Sequence, residues 1–128
     1  PPPPPFSLTG PPPIYTLFPY TTLFRSSLDA LVIRTGVPAM ETSRFGMDPD
    51  PGRVDGYCTS EAVARLAHDF HLVDDPRGNV TLRAADIPSA ALDGRDTMPL
   101  AVIAADLAES LEVRERSAGL RVLEEMLR

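Results

Sequence analysis

The chain has 128 residues and a net charge of −6, with 12 basic residues, all of them arginine, against 18 carboxylates. An acidic chain lacks the clustered basic residues that neutralise phosphates, which argues against nucleic-acid binding by this chain itself. The single cysteine excludes an internal disulfide framework and is typical of a reducing cytosol. No apolar run approaches the roughly 20 residues that span a bilayer. These features predict a cytoplasmic protein without membrane contact.

Residues 1–26 differ sharply in composition from the rest of the chain. They hold nine of the 15 prolines and five of the eight aromatic residues, and no carboxylate. Residues 27–128 hold 11 arginines and all 18 carboxylates, a net charge of −7. The run Ile14–Ser26 resembles the translation of a sequencing adapter. We therefore predict that residues 1–26 are a non-native, disordered segment and that residues 27–128 form one domain; a genuine Pro-rich arm is the alternative.

The beginning of that domain predicts short elements followed by a strong stop. Leu28–Ile33 is a short apolar run that fits either a strand or the end of a helix. Val37–Met47 predicts a short helix with Pro38 in its first turn. Two prolines and a glycine between Asp48 and Gly52 then predict a loop.

The middle of the domain predicts a strand, a helix and a second strand. Val54–Cys58 reads as a short strand, and Thr59 or Ser60 as the N-cap of the following helix. The helix presents one apolar stripe made of Val63, Leu66, Ala67 and Phe70. Residues 80–83 alternate apolar and polar side chains, as a half-exposed strand does. The connection is long enough for either parallel or antiparallel pairing of the two strands.

The end of the chain predicts a helical hairpin made of Pro99–Ser110 and Val113–Leu127. The apolar residues expected to pack on the sheet are Leu100, Ile103, Leu107, Leu111, Leu120, Leu123 and Leu127. The predicted fold class is therefore α+β. A small mixed sheet, with short strands near 54–58 and 80–83, is covered by a middle helix and a C-terminal α-hairpin.

Histidine and cysteine residues are the first candidates for a chemical site. Cys58, His68 and His71 have neither the number nor the spacing of zinc ligands, and no second cysteine completes a set. A Cys58 nucleophile would need an organised base and an oxyanion hole, which the pattern does not indicate. These residues therefore predict surface histidines and a small packed thiol.

Carboxylates and glycines give equally little indication of a site. Asp48, Asp50 and Asp55 do not form a calcium loop, because Arg53 and Thr59 stand where that loop needs glycine and glutamate. The glycines match no phosphate-binding arrangement. Asp106, in an apolar stretch, is expected to bind a facing arginine or backbone amide as a structural partner. We predict no catalytic, cofactor-binding or metal-binding residue, no cofactor and no enzymatic activity.

Four short segments carry a resemblance to a known family: Val54–Tyr57, Gly78–Arg83, Pro99–Leu107 and Arg114–Arg116. Together they resemble the C-terminal part of bacterial transcriptional regulators of the abortive-infection, type IV antitoxin kind. In that family a winged helix-turn-helix binds DNA, and an α/β C-terminal domain carries the antitoxin function beside a nucleotidyltransferase toxin. The resemblance implies a non-catalytic regulatory domain whose partner is a cognate toxin protein.

The resemblance leaves two alternatives open. Because the pattern shows no helix-turn-helix, it implies a truncated regulator that contacts DNA only through a missing upstream domain. The chain also fits the C-terminal fragment of a nucleotidyltransferase-like enzyme or an orphan protein-interaction domain. The upstream genomic sequence would discriminate between them. A basic helix-turn-helix there would indicate the regulator, whereas a strand-turn with paired aspartates would indicate the enzyme.

Overall fold

A mixed five-stranded sheet with helices on both faces organises the computed structural model, which describes residues 14–19, 28–50, 52–85 and 94–128. The strands are β1 (Ile14–Pro19), β2 (Ile33–Arg34), β3 (Val54–Cys58), β4 (Leu72–Asp74) and β5 (Val80–Ala84). The helices are α1 (Gly36–Ala39), α2 (Thr42–Phe45), α3 (Ser60–Asp69), α4 (Leu100–Ala108) and α5 (Val113–Met126). The predicted α+β class and the C-terminal helix pair are confirmed.

The strand order is β2-β3-β5-β1-β4. β3 and β5 run parallel, with Val54 opposite Val80 and Cys58 opposite Ala84, and all other pairs are antiparallel. The direction that the sequence left open is therefore parallel, with α3 in the crossover between the two strands. The side chain of Thr59 accepts a hydrogen bond from the amide of Ala62 at 3.2 Å, which identifies Thr59 as the N-cap of α3.

Helices cover the sheet on both faces, and a buried apolar cluster lies between the sheet and the helices on each face. Successive side chains of a strand point to opposite faces and so contribute to different clusters. In β3, Val54 belongs to the cluster under α3, whereas Tyr57 packs against the cluster under the C-terminal hairpin. The buried residues of the first cluster include Val63, Leu66 and Ala67, so the stripe predicted for the middle helix is confirmed, with Phe70 partly buried at its edge. The second cluster joins α4 and α5 to α1 and α2 through Val37, Phe45, Ile103, Leu107 and Val122.

β1 corrects the prediction that residues 1–26 lie outside the fold. This strand pairs antiparallel with both β4 and β5, and Leu17 is fully buried in the cluster under α3. The predicted disorder is therefore wrong for Ile14–Pro19, and the non-native origin of the segment stays a prediction. The rest of 1–26 lies outside the described residues. The physical reason is that IYTLF is rich in aromatic and β-branched residues. Pairing it also satisfies edges of β4 and β5 that would otherwise be open.

Deleting residues 1–26 should therefore destabilise the protein. The deletion removes a central strand and the buried Leu17 side chain, whose loss alone is worth about 2–5 kcal/mol. For a domain of this size each kilocalorie lowers the Tm by about 4–8 °C. Thermal melts should show the large drop for the 27–128 fragment and a much smaller one when only residues 1–13 are removed. Equal melting temperatures for the full chain and the 27–128 fragment would restore the adapter interpretation.

The orientation of α5 differs from the predicted one. Ala118, Gly119 and Val122 face the core, whereas Val113, Leu120 and Leu127 are 61%, 53% and 87% exposed. Leu111, also expected to be buried, is 95% exposed. Small side chains determine this orientation, because a Cβ atom on Gly119 would lie 2.5 Å from the backbone oxygen of Ala104 and the nitrogen of Ala108. The close packing of α4 against α5 therefore decides which face of α5 is buried, and Leu120 and Leu127 remain exposed.

Replacing Gly119 by alanine should reverse the usual effect of that substitution in a helix. In an open helix the change stabilises by about 1 kcal/mol, but here the new methyl group meets the backbone of α4. We expect a loss of roughly 1–3 kcal/mol from overpacking. Urea denaturation measures it, and Ser117→Ala on the exposed side of α5 is the matched control. A Gly119→Ala variant as stable as Ser117→Ala would show that the helices are not in close contact.

Candidate functional site

A buried polar network lies between the sheet and α4. Alternation along β3 places Asp55 and Tyr57 on the same face, and the parallel register places Arg83 of β5 opposite Tyr57. Asp106 of α4 projects towards this face, and its carboxylate accepts hydrogen bonds from the sheet. Four residues that are distant in the sequence thus meet because the strands pair in parallel and α4 crosses above them.

Arg83 binds Asp55 through two hydrogen bonds. Its Nε donates to Oδ1 at 2.8 Å and its Nη2 donates to Oδ2 at 3.1 Å. The two side chains are only 12% and 6% exposed. A paired, planar contact of this kind is the strong form of the arginine–carboxylate interaction, and it fixes both side chains.

Asp106 completes the network from the helix. Thr35 Oγ1 donates to its Oδ2 at 2.6 Å, and the Tyr57 hydroxyl donates to the same atom at 3.0 Å. Nη1 of Arg83 lies 3.4 Å from Oδ1. Of the two expected partners, a facing arginine or a backbone amide, the arginine is present as an ion pair, whereas the hydrogen bonds come from the hydroxyls of Thr35 and Tyr57. The guanidinium of Arg83 therefore joins two carboxylates, one from the sheet and one from α4.

Burial and the neighbouring charges shift the pKa of three groups in this network. Burial, together with the charge and hydrogen bond of Asp106, raises the pKa of Tyr57 to about 12, so its hydroxyl remains a donor at neutral pH. Burial opposes the charged form of Arg83, but the hydrogen bond and charge of Asp55 outweigh it and raise the arginine's pKa. Burial also raises the pKa of Asp55, against the opposing effect of Arg83. The Tyr57 hydroxyl is thus kept as a donor and the Arg83 guanidinium as a cation.

A second ion pair joins the start of α5 to Arg53, the residue before β3. Nη1 of Arg53 lies 2.9 Å from Oε2 of Glu115, and Ser110 Oγ donates to Oε1 of Glu115 at 2.9 Å. Glu115 is only 8% exposed. The Arg53–Glu115 pair borders an open cleft of about 790 Å³. The lining of this cleft also includes Asp55, Arg77, Thr81 and Arg83. Its charges of both signs are largely paired with one another.

The structure does not bring the histidines and the cysteine together into a site. The His68 side chain is 89% exposed and its Nδ1 lies 3.2 Å from Asp69. His71 is exposed at the turn after α3 with a positive φ of 54°. Cys58 packs against the cluster under α3, and burial raises the pKa of its thiol to about 11, so little thiolate exists at neutral pH. Across the described ranges, no three histidine, cysteine or carboxylate side chains could hold a metal ion.

The three aspartates of the rejected calcium loop have separate roles. Asp48 accepts a hydrogen bond from Thr42 at 3.1 Å, and Asp50 accepts one from the amide of Gly52 at 2.8 Å. Asp55 belongs to the buried network. Sequence reasoning missed that network because Asp55 and Arg83 are 28 residues apart. The sequence did contain one signal for the network. Each of the two predicted strands carries a charged side chain, Asp55 in the first and Arg83 in the second.

Comparison with family models, curated proteins and solved structures found no match. Within the part of the chain that the structure describes, no helix is both long and apolar enough to cross a membrane. The functional conclusion therefore rests on the geometry of the network and on the resemblance of the segments that form it.

Proposed function

We propose that this chain is a non-catalytic regulatory domain of the bacterial type IV antitoxin kind, which works in the cytosol by binding a cognate toxin protein. The observation that carries the proposal is the closed polar network. Its charged groups, Asp55, Arg83 and Asp106, bind one another and are nearly buried. Side chains with the chemistry of an active site are used to hold the sheet and α4 together.

The segments that resemble the antitoxin-like regulators supply this network. Val54–Tyr57 contains Asp55 and Tyr57, and Gly78–Arg83 ends on the arginine that binds Asp55. The stretch Pro99–Leu107 contributes Asp106. The segments that carry the resemblance thus supply the contacts that hold α4 against the sheet. This supports a fold shared with the antitoxin-like regulators. The net charge of −7 on residues 27–128 favours a protein partner over a nucleic acid.

A growth assay tests the proposal. The chain is co-expressed with a nucleotidyltransferase toxin encoded beside it, and we expect growth to be rescued and the two proteins to purify together. Tyr57→Phe removes only the hydroxyl that donates to Asp106. A structural network predicts that this variant melts at a lower temperature yet rescues growth as the unchanged chain does.

Two results would contradict the proposal. Failure of the folded chain both to rescue growth and to bind the toxin would exclude the antitoxin role. Nucleotide transfer by the purified chain, abolished by Tyr57→Phe without a change of Tm, would make the network an active site. That second outcome would favour a nucleotidyltransferase-like enzyme instead.

A further inference from the structure

The floor of the 790 Å³ cleft is the part of the sheet where β3, β5 and β1 lie side by side. Thr81 of β5 pairs with Thr16 of β1 on one side and with Asp55 of β3 on the other. Because paired residues point to the same face of a sheet, the three side chains form one row. Over the described ranges, neither threonine hydroxyl makes a hydrogen bond. The floor therefore offers two free hydroxyls to a bound molecule.

Arg77 stands next to this row and lines the cleft from the turn that leads into β5. The amide of Asp75 donates to the carbonyl of Thr16 at 3.1 Å, which holds the turn against β1. Arg77 is exposed, and its guanidinium makes no ion pair or hydrogen bond with a described residue. A guanidinium and two hydroxyls are hydrogen-bond donors, and a carboxylate accepts from all three. This wall of the cleft is therefore suited to a carboxylate.

The other wall, the turn between α4 and α5, carries carboxylates of its own. Glu109 is exposed and has no partner among the described residues. Glu112 accepts hydrogen bonds from the amides of Arg114 and Glu115, which lower its pKa and keep it ionised. The described lining holds three arginines and five carboxylates, a net charge of −2, which disfavours a simple anion. A molecule that carries an ammonium group as well as a carboxylate suits both walls.

Apolar side chains complete the lining of the cleft. Ile14 is 40% exposed beside the threonine row, and Leu111 is 95% exposed on the turn between the helices. The volume of 790 Å³ lies within the roughly 300–1,000 Å³ that is usual for small-molecule sites. Such a volume holds a peptide of two or three residues, whose two charged ends are further apart than those of a single amino acid.

We propose that this cleft binds a short peptide with two free termini and apolar side chains. The C-terminal carboxylate binds Arg77 and the hydroxyls of Thr16 and Thr81. The N-terminal ammonium lies at Glu109, in the field of Glu112, and the apolar side chains contact the exposed apolar residues of the lining. The buried polar network stays closed, because the peptide uses groups that the network leaves free. The inference does not depend on the regulatory role proposed above.

An NMR titration of the full chain with trileucine tests the proposal. We expect binding with a Kd below about 1 mM. N-acetyl trileucine lacks the ammonium group and trileucine amide lacks the carboxylate, so each should bind about tenfold more weakly than the free peptide. Absence of chemical-shift changes at millimolar trileucine, or equal affinities for the three peptides, would overturn the proposal.

Two variants assign the ends of the peptide to the two walls. Arg77→Gln should weaken binding of trileucine about tenfold and should remove its advantage over the amide. Glu109→Gln should remove most of its advantage over the acetylated form. Both side chains are exposed, so a thermal melt should show an unchanged Tm for each variant. Arg65→Gln and Glu125→Gln are the matched controls, because these residues are exposed and do not line the cleft.

The same titrations contain the results that would contradict the assignment. If Arg77→Gln or Glu109→Gln weakened all three peptides equally, its side chain would not bind the assigned end and the proposal would fail. Tighter binding of glucose than of trileucine would assign the hydroxyl row to a neutral sugar and overturn the peptide.

The growth assay separates this inference from the proposed function, because the titration needs no toxin. A chain that binds trileucine as described but fails to rescue growth would leave the inference standing and exclude the regulatory role. A chain that rescues growth without binding trileucine would overturn the inference alone.

Discussion

Replacing Arg83 by methionine should destabilise the protein by about 3–5 kcal/mol at neutral pH, the cost of leaving buried charges without their partner. The substitution keeps the aliphatic volume of the side chain and removes the cation between Asp55 and Asp106. Both carboxylates are at most 10% exposed, so water from the neighbouring cleft replaces the lost hydrogen bonds only in part. Urea denaturation at pH 7 measures the change in the free energy of unfolding.

The loss caused by Arg83→Met should shrink as the pH falls. Burial already raises the pKa of Asp55, and the variant removes the opposing effect of the guanidinium. A carboxyl whose pKa is raised on folding favours the folded state below its unfolded pKa. It loses that contribution as the pH rises through the folded value. The free energy of unfolding of the variant should therefore approach that of the unchanged chain at about pH 4, where carboxyls become neutral.

Arg65→Met on the exposed side of α3 is the matched control for Arg83→Met. Surface substitutions of this kind usually change stability by less than about 0.5 kcal/mol. Equal losses for the two variants, or a loss for Arg83→Met that does not depend on pH, would show that the network contributes nothing to stability.

Leu107→Ala should unfold the protein or nearly so. Leu107 is 2% exposed in the cluster beneath the C-terminal hairpin, and truncating a buried leucine costs about 2–5 kcal/mol. That is a large share of the roughly 5–15 kcal/mol that stabilises a small domain. Thermal melts should show a decrease of about 8 °C or more, if a transition remains at all.

Leu111→Ala is the closest control, because the same side chain is shortened four residues later at a position that is 95% exposed. His68→Ala and Cys58→Ser should also change the Tm much less. Similar decreases for Leu107→Ala and Leu111→Ala would contradict the orientation of the hairpin. A rise of the Tm on addition of zinc would restore the metal site that the sequence argued against.

The segment from Val54 to Asp69 was predictable because its signals are local. The strand ends where Thr59 can cap a helix, and the apolar stripe of α3 follows the helical period. These features depend on residues three or four positions apart, which the sequence displays directly. The structural role of Asp106 was predictable for a related reason, since a carboxylate in an apolar stretch needs a partner.

The orientation of α5 and the membership of β1 were not predictable in this way. Leu123 packs at the edge of the hairpin cluster as predicted, yet Gly119 permits a closer contact with α4, and Leu120 and Leu127 point outward. Composition separates residues 1–26 from the rest, but β1 joins the sheet through pairing with residues more than 50 positions away. A hydrophobic pattern shows that a face is apolar and does not show which neighbour covers it.

The sequence by itself determined the α+β class, the β3–α3 unit, the positions of the two C-terminal helices and the need of Asp106 for a partner. Only the tertiary structure decided the strand order, the inward face of α5 and the identity of that partner. The reason is that pairing and packing join residues such as Asp55 and Arg83 across 28 positions. Such a contact depends on the geometry of both elements at once, which neither local pattern contains.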